Sequence, residues 1–190
     1  MALPYIARYV SEKIVISMLY FLAPNSPYIE KYGEISAAIA KAANEDPLFP
    51  HHGGGAEMTA SILVALAYKE SSFHQSVIGD KGKSFGLFQI QLPTAGPRIK
   101  ANILLQPMSA SKVAVDLIRR SFQQCEHRNW YERLSWYVAS NGCPNHVIIV
   151  KKSAERLILA GELYKKFFPD QTVPDRVPRL GEAVEERHEP

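Results

Sequence analysis

The 190-residue chain is expected to fold as a mainly α domain, and three features of its sequence say so. Apolar residues recur at helical spacing in six or seven segments, while the alternation of a half-buried strand is nearly absent. One segment, ending at Glu70, is apolar on every side, and a helix of that kind packs in the middle of a domain with the others around it.

Taking the segments in order, the first helix is placed just inside the N-terminus, with Ile6, Tyr9, Val10, Ile14 and then Ser17 or Met18 along one face. Its apolar run, Ile14 to Ala23, has the length of a signal-peptide core. Glu12 just ahead of it, one residue before Lys13, and Pro24 directly after it argue instead for an uncleaved amphipathic helix. Ten apolar residues are also too few to cross a bilayer, so no membrane span is expected. Pro24, Asn25 and Pro27 end this helix, and a second is expected over 27–44, with Ile35, Ala38, Ile39 and Ala42 on its inner face. Pro50 to Gly55 reads as a connection. Its adjacent His51 and His52 lack further ligands at zinc spacing, so no metal is expected.

The central helix is placed over 57–73. After it, Gly79, Asp80, Gly82 and Ser84 are turn formers that suit at most a short, irregular β-hairpin, and Pro93-Thr94 suits a helix start. Ser109 is placed as the cap of an amphipathic helix carrying Val113, Ala114, Leu117, Ile118, Ser121 and Phe122. A shorter helix is expected over 130–139. The last, over 145–168, would align Val147, Val150, Ala154, Leu157, Ile158, Gly161, Tyr164 and Phe168. From Pro169 onward proline alternates with Asp, Glu and Arg, a composition too poor in apolar residues to offset the entropy of ordering. The expected organisation is therefore an N-terminal helical extension and Gly-rich connection (1–56), a central helical domain (57–168) and a Pro-rich charged tail (169–190).

With 46% hydrophobic and 22% charged residues the composition is that of an ordinary globular protein, which excludes a fibrous or wholly disordered chain. A net charge of +3, spread evenly, is too small to argue for nucleic acid. Cys125 and Cys143 are too few for a disulfide scaffold; two separate reduced thiols are the expected state, with a bridge between them across a helix pair as the alternative.

Glu70 is the candidate reactive group. The negative end of a helix dipole and the apolar turns before it both disfavour an ionised carboxylate, which raises its pKa. A carboxyl that keeps its proton near neutrality can act as a general acid, and glycosidic cleavage needs one to protonate the leaving oxygen. The alternative is a solvated glutamate at a helix end.

Four elements surround it in order: Glu70-Ser71-Ser72-Phe73, the loop with Ser84 and Gly86, the block Gly86-Leu87-Phe88-Gln89-Ile90, and Pro93-Thr94-Ala95. In spacing and identity they resemble the soluble lytic transglycosylase (SLT) family of the lysozyme-like superfamily. The family's tyrosine element has its counterpart in Trp136-Tyr137-Val138-Ala139-Ser140-Asn141-Gly142. There Val138 replaces the usual asparagine, as in phage-type and goose-lysozyme-like relatives.

The resemblance implies a lysozyme-like fold and peptidoglycan glycan strands as substrate, with no cofactor. It implies Glu70 as the catalytic acid and then base, with Ser71, Ser84, Gly86, Gln89 and Tyr137 contacting or positioning substrate. Ser71 as a helix cap and Tyr137 as a core aromatic are the structural alternatives, and Phe88 and Ile90 read as core.

A lytic transglycosylase needs no second carboxylate, because the 6-hydroxyl of N-acetylmuramic acid attacks its own anomeric carbon. Asp80 is the candidate second carboxylate that would permit lysozyme-type hydrolysis by water. A third alternative is a non-catalytic lysozyme-like component of a virion or secretion apparatus. Without an export signal, delivery to the bacterial wall by such an assembly is expected, with contacts to its proteins through the N-terminal helices or the tail.

Overall fold

The computed structural model describes residues 9–50, 55–140 and 142–170. The expected mainly α architecture is what it shows: α1 (Glu12–Leu22), α2 (Tyr32–Glu45), α3 (Gly55–Ser71), α4 (Leu92–Ala95), α5 (Ala101–Leu104), α6 (Pro107–Gln124), α7 (Ser135–Ala139) and α8 (Val147–Phe167). One three-stranded sheet interrupts the series between α3 and α4.

Ser11 sets the start of α1, its Oγ accepting from the Ile14 amide at 3.3 Å. The helix therefore begins after Tyr9 and Val10 rather than including them. It buries Val15, Met18 and Leu19, while Tyr9 is 73% exposed; Ile6 lies outside the described residues. Val10 is pinned instead by Asn44 of α2, whose side-chain amide accepts from its N–H at 2.8 Å and donates to its carbonyl at 2.9 Å. The expected inner face of α2 is the buried one, comprising Ile35, Ala38, Ile39 and Ala42.

In α3 every residue from Glu57 to Ala67 is buried, as an all-round apolar helix requires. The other helices pack around it, α8 most extensively, and a single apolar core runs from Val10 to Phe168 through α1, α2, α3, α6 and α8.

Two further boundaries and one helix face differ from expectation for local reasons. Pro107 occupies the first turn of α6, so the helix starts two residues before Ser109, which lies inside it uncapping nothing. A 3-10 turn, Trp130–Glu132, precedes α7 in place of one helix over 130–139. The inner face of α8 comprises Ser153, Arg156, Leu157, Ala160, Leu163 and Tyr164. Val147 is 78% exposed and Ile158 also faces solvent, so the helix is turned by about one residue, ~100°, from the expected stripe. A purely apolar stripe omits Arg156, and Arg156 faces inward.

The cysteines are a correction. Cys125 and Cys143 form a disulfide, with Cα atoms 5.7 Å apart. Cys125 ends α6 and is fully buried. After α7 the chain turns through Ser140 and Gly142, both at positive φ, and this turn brings Cys143 back to it. Sequence reports neither the turn nor the distance, which is why separated thiols were the simpler expectation. Arg128 Nη2 donates to the Cys143 carbonyl at 3.1 Å on the same loop.

Among the described residues no helix is long and apolar enough to cross a membrane, and no cluster of three or more potential metal ligands occurs. His51 and His52 lie outside the described residues.

Candidate active site

Glu70 sits in the last turn of α3, where the chain leaves the core. Ser72 and Phe73 follow at φ 50° and 67°, a left-handed pair that turns the chain sharply. Backbone there costs about 1–3 kcal/mol for a non-glycine residue and persists only when its surroundings hold it. Phe73 is that hold: fully buried, it stands edge-on to Tyr32 at 5.5 Å and against Tyr68 at 5.6 Å. Its burial fixes the direction of the preceding carboxyl.

Ser71 ties this helix end to the next motif, its Oγ lying 2.8 Å from the Leu87 carbonyl and 3.1 Å from that of Ala67. The sheet continues the tie. β1 (Ile78–Gly79), β2 (Ser84–Phe85) and β3 (Ile90–Gln91) are antiparallel in that order, with Gly79 opposite Ser84 and Phe85 opposite Ile90. Gly86 follows β2 at φ 70°, and a Cβ there would lie 1.9 Å from the Leu104 carbonyl oxygen. Glycine is required at this point by backbone packing on α5. Gln89, also left-handed at φ 46°, uses its side-chain amide inside the loop, donating to the Gly86 carbonyl at 2.9 Å and the Val77 carbonyl at 3.3 Å.

A cavity of about 230 Å³ opens beside the end of α3, lined by Glu70, Asp80, Ser84, Gln89, Gln91, Tyr137, Val138, Ser140, Lys152 and Arg156. Of the residues singled out from sequence, Glu70, Asp80, Ser84, Gln89 and Tyr137 thus share one cavity. Ser71 and Gly86 stand behind its wall as the pieces that assemble it. Asp80, at φ 48° in the turn between β1 and β2, accepts a short hydrogen bond from the Ser84 hydroxyl. Tyr137 donates its phenolic hydrogen to the Phe88 carbonyl at 2.9 Å and therefore fastens α7 to the Gly86–Ile90 block. Buried serines fix α7 from its other sides: the Tyr137 amide donates to Ser121 of α6, and the Leu134 amide to Ser153 of α8.

Sequence reasoning missed Arg156. Its Nε and Nη2 lie 2.9 and 2.8 Å from Oε1 of Glu70, and its Nη1 donates to the Lys152 carbonyl at 2.7 Å. The two side chains are 8% and 18% exposed, so this is a largely desolvated ion pair. One signal was available: a charge three residues after Ser153 and four before Ala160, in register with Leu157 and Tyr164. A charge on an inner helical face demands a partner, although sequence does not name one 86 positions away.

Burial raises the Glu70 pKa above the ordinary carboxylate value, and the Asp80 charge adds to it. The Arg156 charge and hydrogen bonds, with the Lys152 charge, oppose it without cancelling it. Burial likewise pushes Tyr137 well above the usual phenol range, helped by the Glu70 charge. The phenol therefore stays protonated and keeps its bond to Phe88.

The site thus holds a carboxyl biased toward its protonated form, a carboxylate bonded to a serine, two cations and a neutral phenol. A family model described as the Transglycosylase SLT domain matches residues 50–157, more than half of the chain and the whole span from Glu70 to Arg156. No curated protein and no solved structure matches the chain.

Proposed function

The chain belongs to the transglycosylase SLT domain family, and on that premise we propose that it is a peptidoglycan lytic transglycosylase in which Glu70 serves as acid and then base. The observation that carries this reading is the carboxyl of Glu70, held at the cavity wall with its proton affinity raised by burial.

The step balances on that one group. Protonated Glu70 gives its proton to the oxygen that links N-acetylmuramic acid to N-acetylglucosamine. The bond from that oxygen to the muramic anomeric carbon breaks, its electron pair going to the oxygen. The 6-hydroxyl oxygen of the same muramic residue then bonds to the anomeric carbon, and the Glu70 carboxylate takes the hydroxyl proton. Glu70 ends as it began, the product carries a 1,6-anhydro ring, and no water is consumed. Asp80, engaged by Ser84 on the same cavity, offers negative charge toward the developing oxocarbenium.

A second reading has one observation in its favour: Asp80 does line the cavity. If it orients a water, the bond is hydrolysed instead. Incubating peptidoglycan with the protein and with Glu70→Gln, followed by mass spectrometry of the released fragments, separates the two. Anhydro termini made only by the unaltered chain support the transglycosylase, reducing termini support hydrolysis by way of Asp80, and release by Glu70→Gln at the normal rate would remove Glu70 from the chemistry.

The Cys125–Cys143 bridge suits action on the oxidising side of the inner membrane, where the wall lies. Delivery by a virion or secretion assembly, docked through the N-terminal helices or the Pro-rich segment 169–190, belongs to the same reading. If the tail is the docking element, removing residues 169–190 should leave glycan release intact and reduce incorporation into the assembly; unchanged incorporation would contradict that role.

A further inference from the structure

We propose that Arg156 is the positioning residue for Glu70 and selects which of its two carboxyl oxygens carries the catalytic proton. This role presupposes the acid/base assignment of Glu70 and deepens it.

Both guanidinium contacts fall on one oxygen, Oε1, at 2.8 and 2.9 Å. The third nitrogen is held by the Lys152 carbonyl one turn back in α8, so the guanidinium cannot swing away without breaking that bond as well. An oxygen that accepts the Nε–H of a cation and has a second guanidinium nitrogen at 2.8 Å is the one on which negative charge is best stabilised, and a proton there would confront that donor. The proton is therefore carried on Oε2, which accepts no hydrogen bond from the guanidinium, and Oε2 is the oxygen that must meet the glycosidic bond.

The other charged or titratable groups around Glu70 do not compete for this function. Lys152, on α8, acts through charge in the same sense as Arg156, whereas Asp80, from the turn between β1 and β2, acts in the opposite sense. Tyr137, on α7, has its hydroxyl hydrogen committed to the Phe88 carbonyl. Arginine suits the position and lysine does not, because a planar, permanently charged fork fixes orientation as well as charge. When Glu70 releases its proton, the charge that appears is already paired, and no solvent or side chain has to move to receive it.

The test uses the full chain with Arg156→Gln, which removes the charge, and Arg156→Lys, which keeps the charge and loses the fork. Arg156→Met fills the same space without charge and replaces the glutamine variant if that one does not fold. The Glu70 carboxyl is titrated directly by carbon NMR of glutamate-labelled protein, and kcat, KM and the alkaline limb of kcat/KM are measured on glycan strands.

In Arg156→Gln the Glu70 midpoint and the alkaline limb both move to higher pH, because the charge that favoured ionisation is gone. In Arg156→Lys the midpoint stays near that of the unaltered chain, while kcat falls ~10–100-fold and KM changes little. An unmoved midpoint in the glutamine or methionine variant would overturn the pairing, and an undiminished kcat in the lysine variant would overturn the positioning. If the unaltered chain released no glycan while the midpoint still moved, the acid/base assignment would fail, and proton selection with it, leaving a structural ion pair.

Discussion

At Glu70 burial and Arg156 act in opposition, and burial prevails. The consequence for rate is that the alkaline limb of kcat/KM should lie above the range of an ordinary carboxylate, as a pH profile would show. The consequence for stability has a definite sign. A carboxyl whose pKa is raised on folding stabilises the native state fully below its unfolded value, near ~4.3, and loses that contribution as pH rises through the higher folded value. Glu70→Gln, neutral at every pH, should therefore gain in melting temperature relative to the unaltered chain as pH rises from the ordinary carboxylate range through the raised value of Glu70; a constant difference with pH would mean that Glu70 is not perturbed. The same variant should lose activity by ~10²–10⁴-fold or more. Asp80→Asn separates the two readings of the reaction: a loss within about tenfold is expected if the muramic 6-hydroxyl is the nucleophile, and ~10²–10⁴-fold if Asp80 activates water.

Among the elements, α3 and α6 were the most legible. An apolar surface all round, or a stripe at helical spacing, reports burial directly, and the Gly86–Ile90 block reports a turn through its glycine. The α8 face was misjudged by about one residue because Arg156 counts as polar in any periodic pattern although it is buried with Glu70. The sequence marks Gly86 only as a residue near substrate, whereas its contact is with the Leu104 carbonyl, which no local pattern announces. Gly86→Ala should accordingly lower stability by about 3 kcal/mol or more, from a left-handed alanine together with overpacking, as denaturant unfolding would measure. The Cys125–Cys143 bridge holds the turn after α7, next to the cavity residues Val138 and Ser140. Replacing both cysteines by serine should cost ~2–4 kcal/mol and reduce activity beyond what partial unfolding explains; an unchanged midpoint on reduction would contradict a constraining bridge.

For the molecule as a whole, the site depends on contacts that sequence separates widely: α3 supplies Glu70, the sheet and its connecting turns supply Asp80, Ser84 and Gln89, α7 supplies Tyr137, and α8 supplies Lys152 and Arg156. Motif order made the first three visible, the α3 and sheet residues within one short stretch and Tyr137 in its own element further on, and left the α8 contribution hidden. The N-terminal helices share the core that supports α3: Val15, Met18 and Leu19 are fully buried, and Tyr32 donates its hydroxyl to the Ala23 carbonyl at 2.7 Å. Deleting residues 1–23 should thus lower stability by several kcal/mol and take activity with it, which thermal unfolding of the truncated chain would reveal. Whether one carboxyl performs the cleavage without water is decided by running the reaction in oxygen-18 water and weighing the new sugar ends. Anhydro ends with no heavy oxygen are expected, and one heavy oxygen at each new reducing end would overturn the single-carboxyl mechanism.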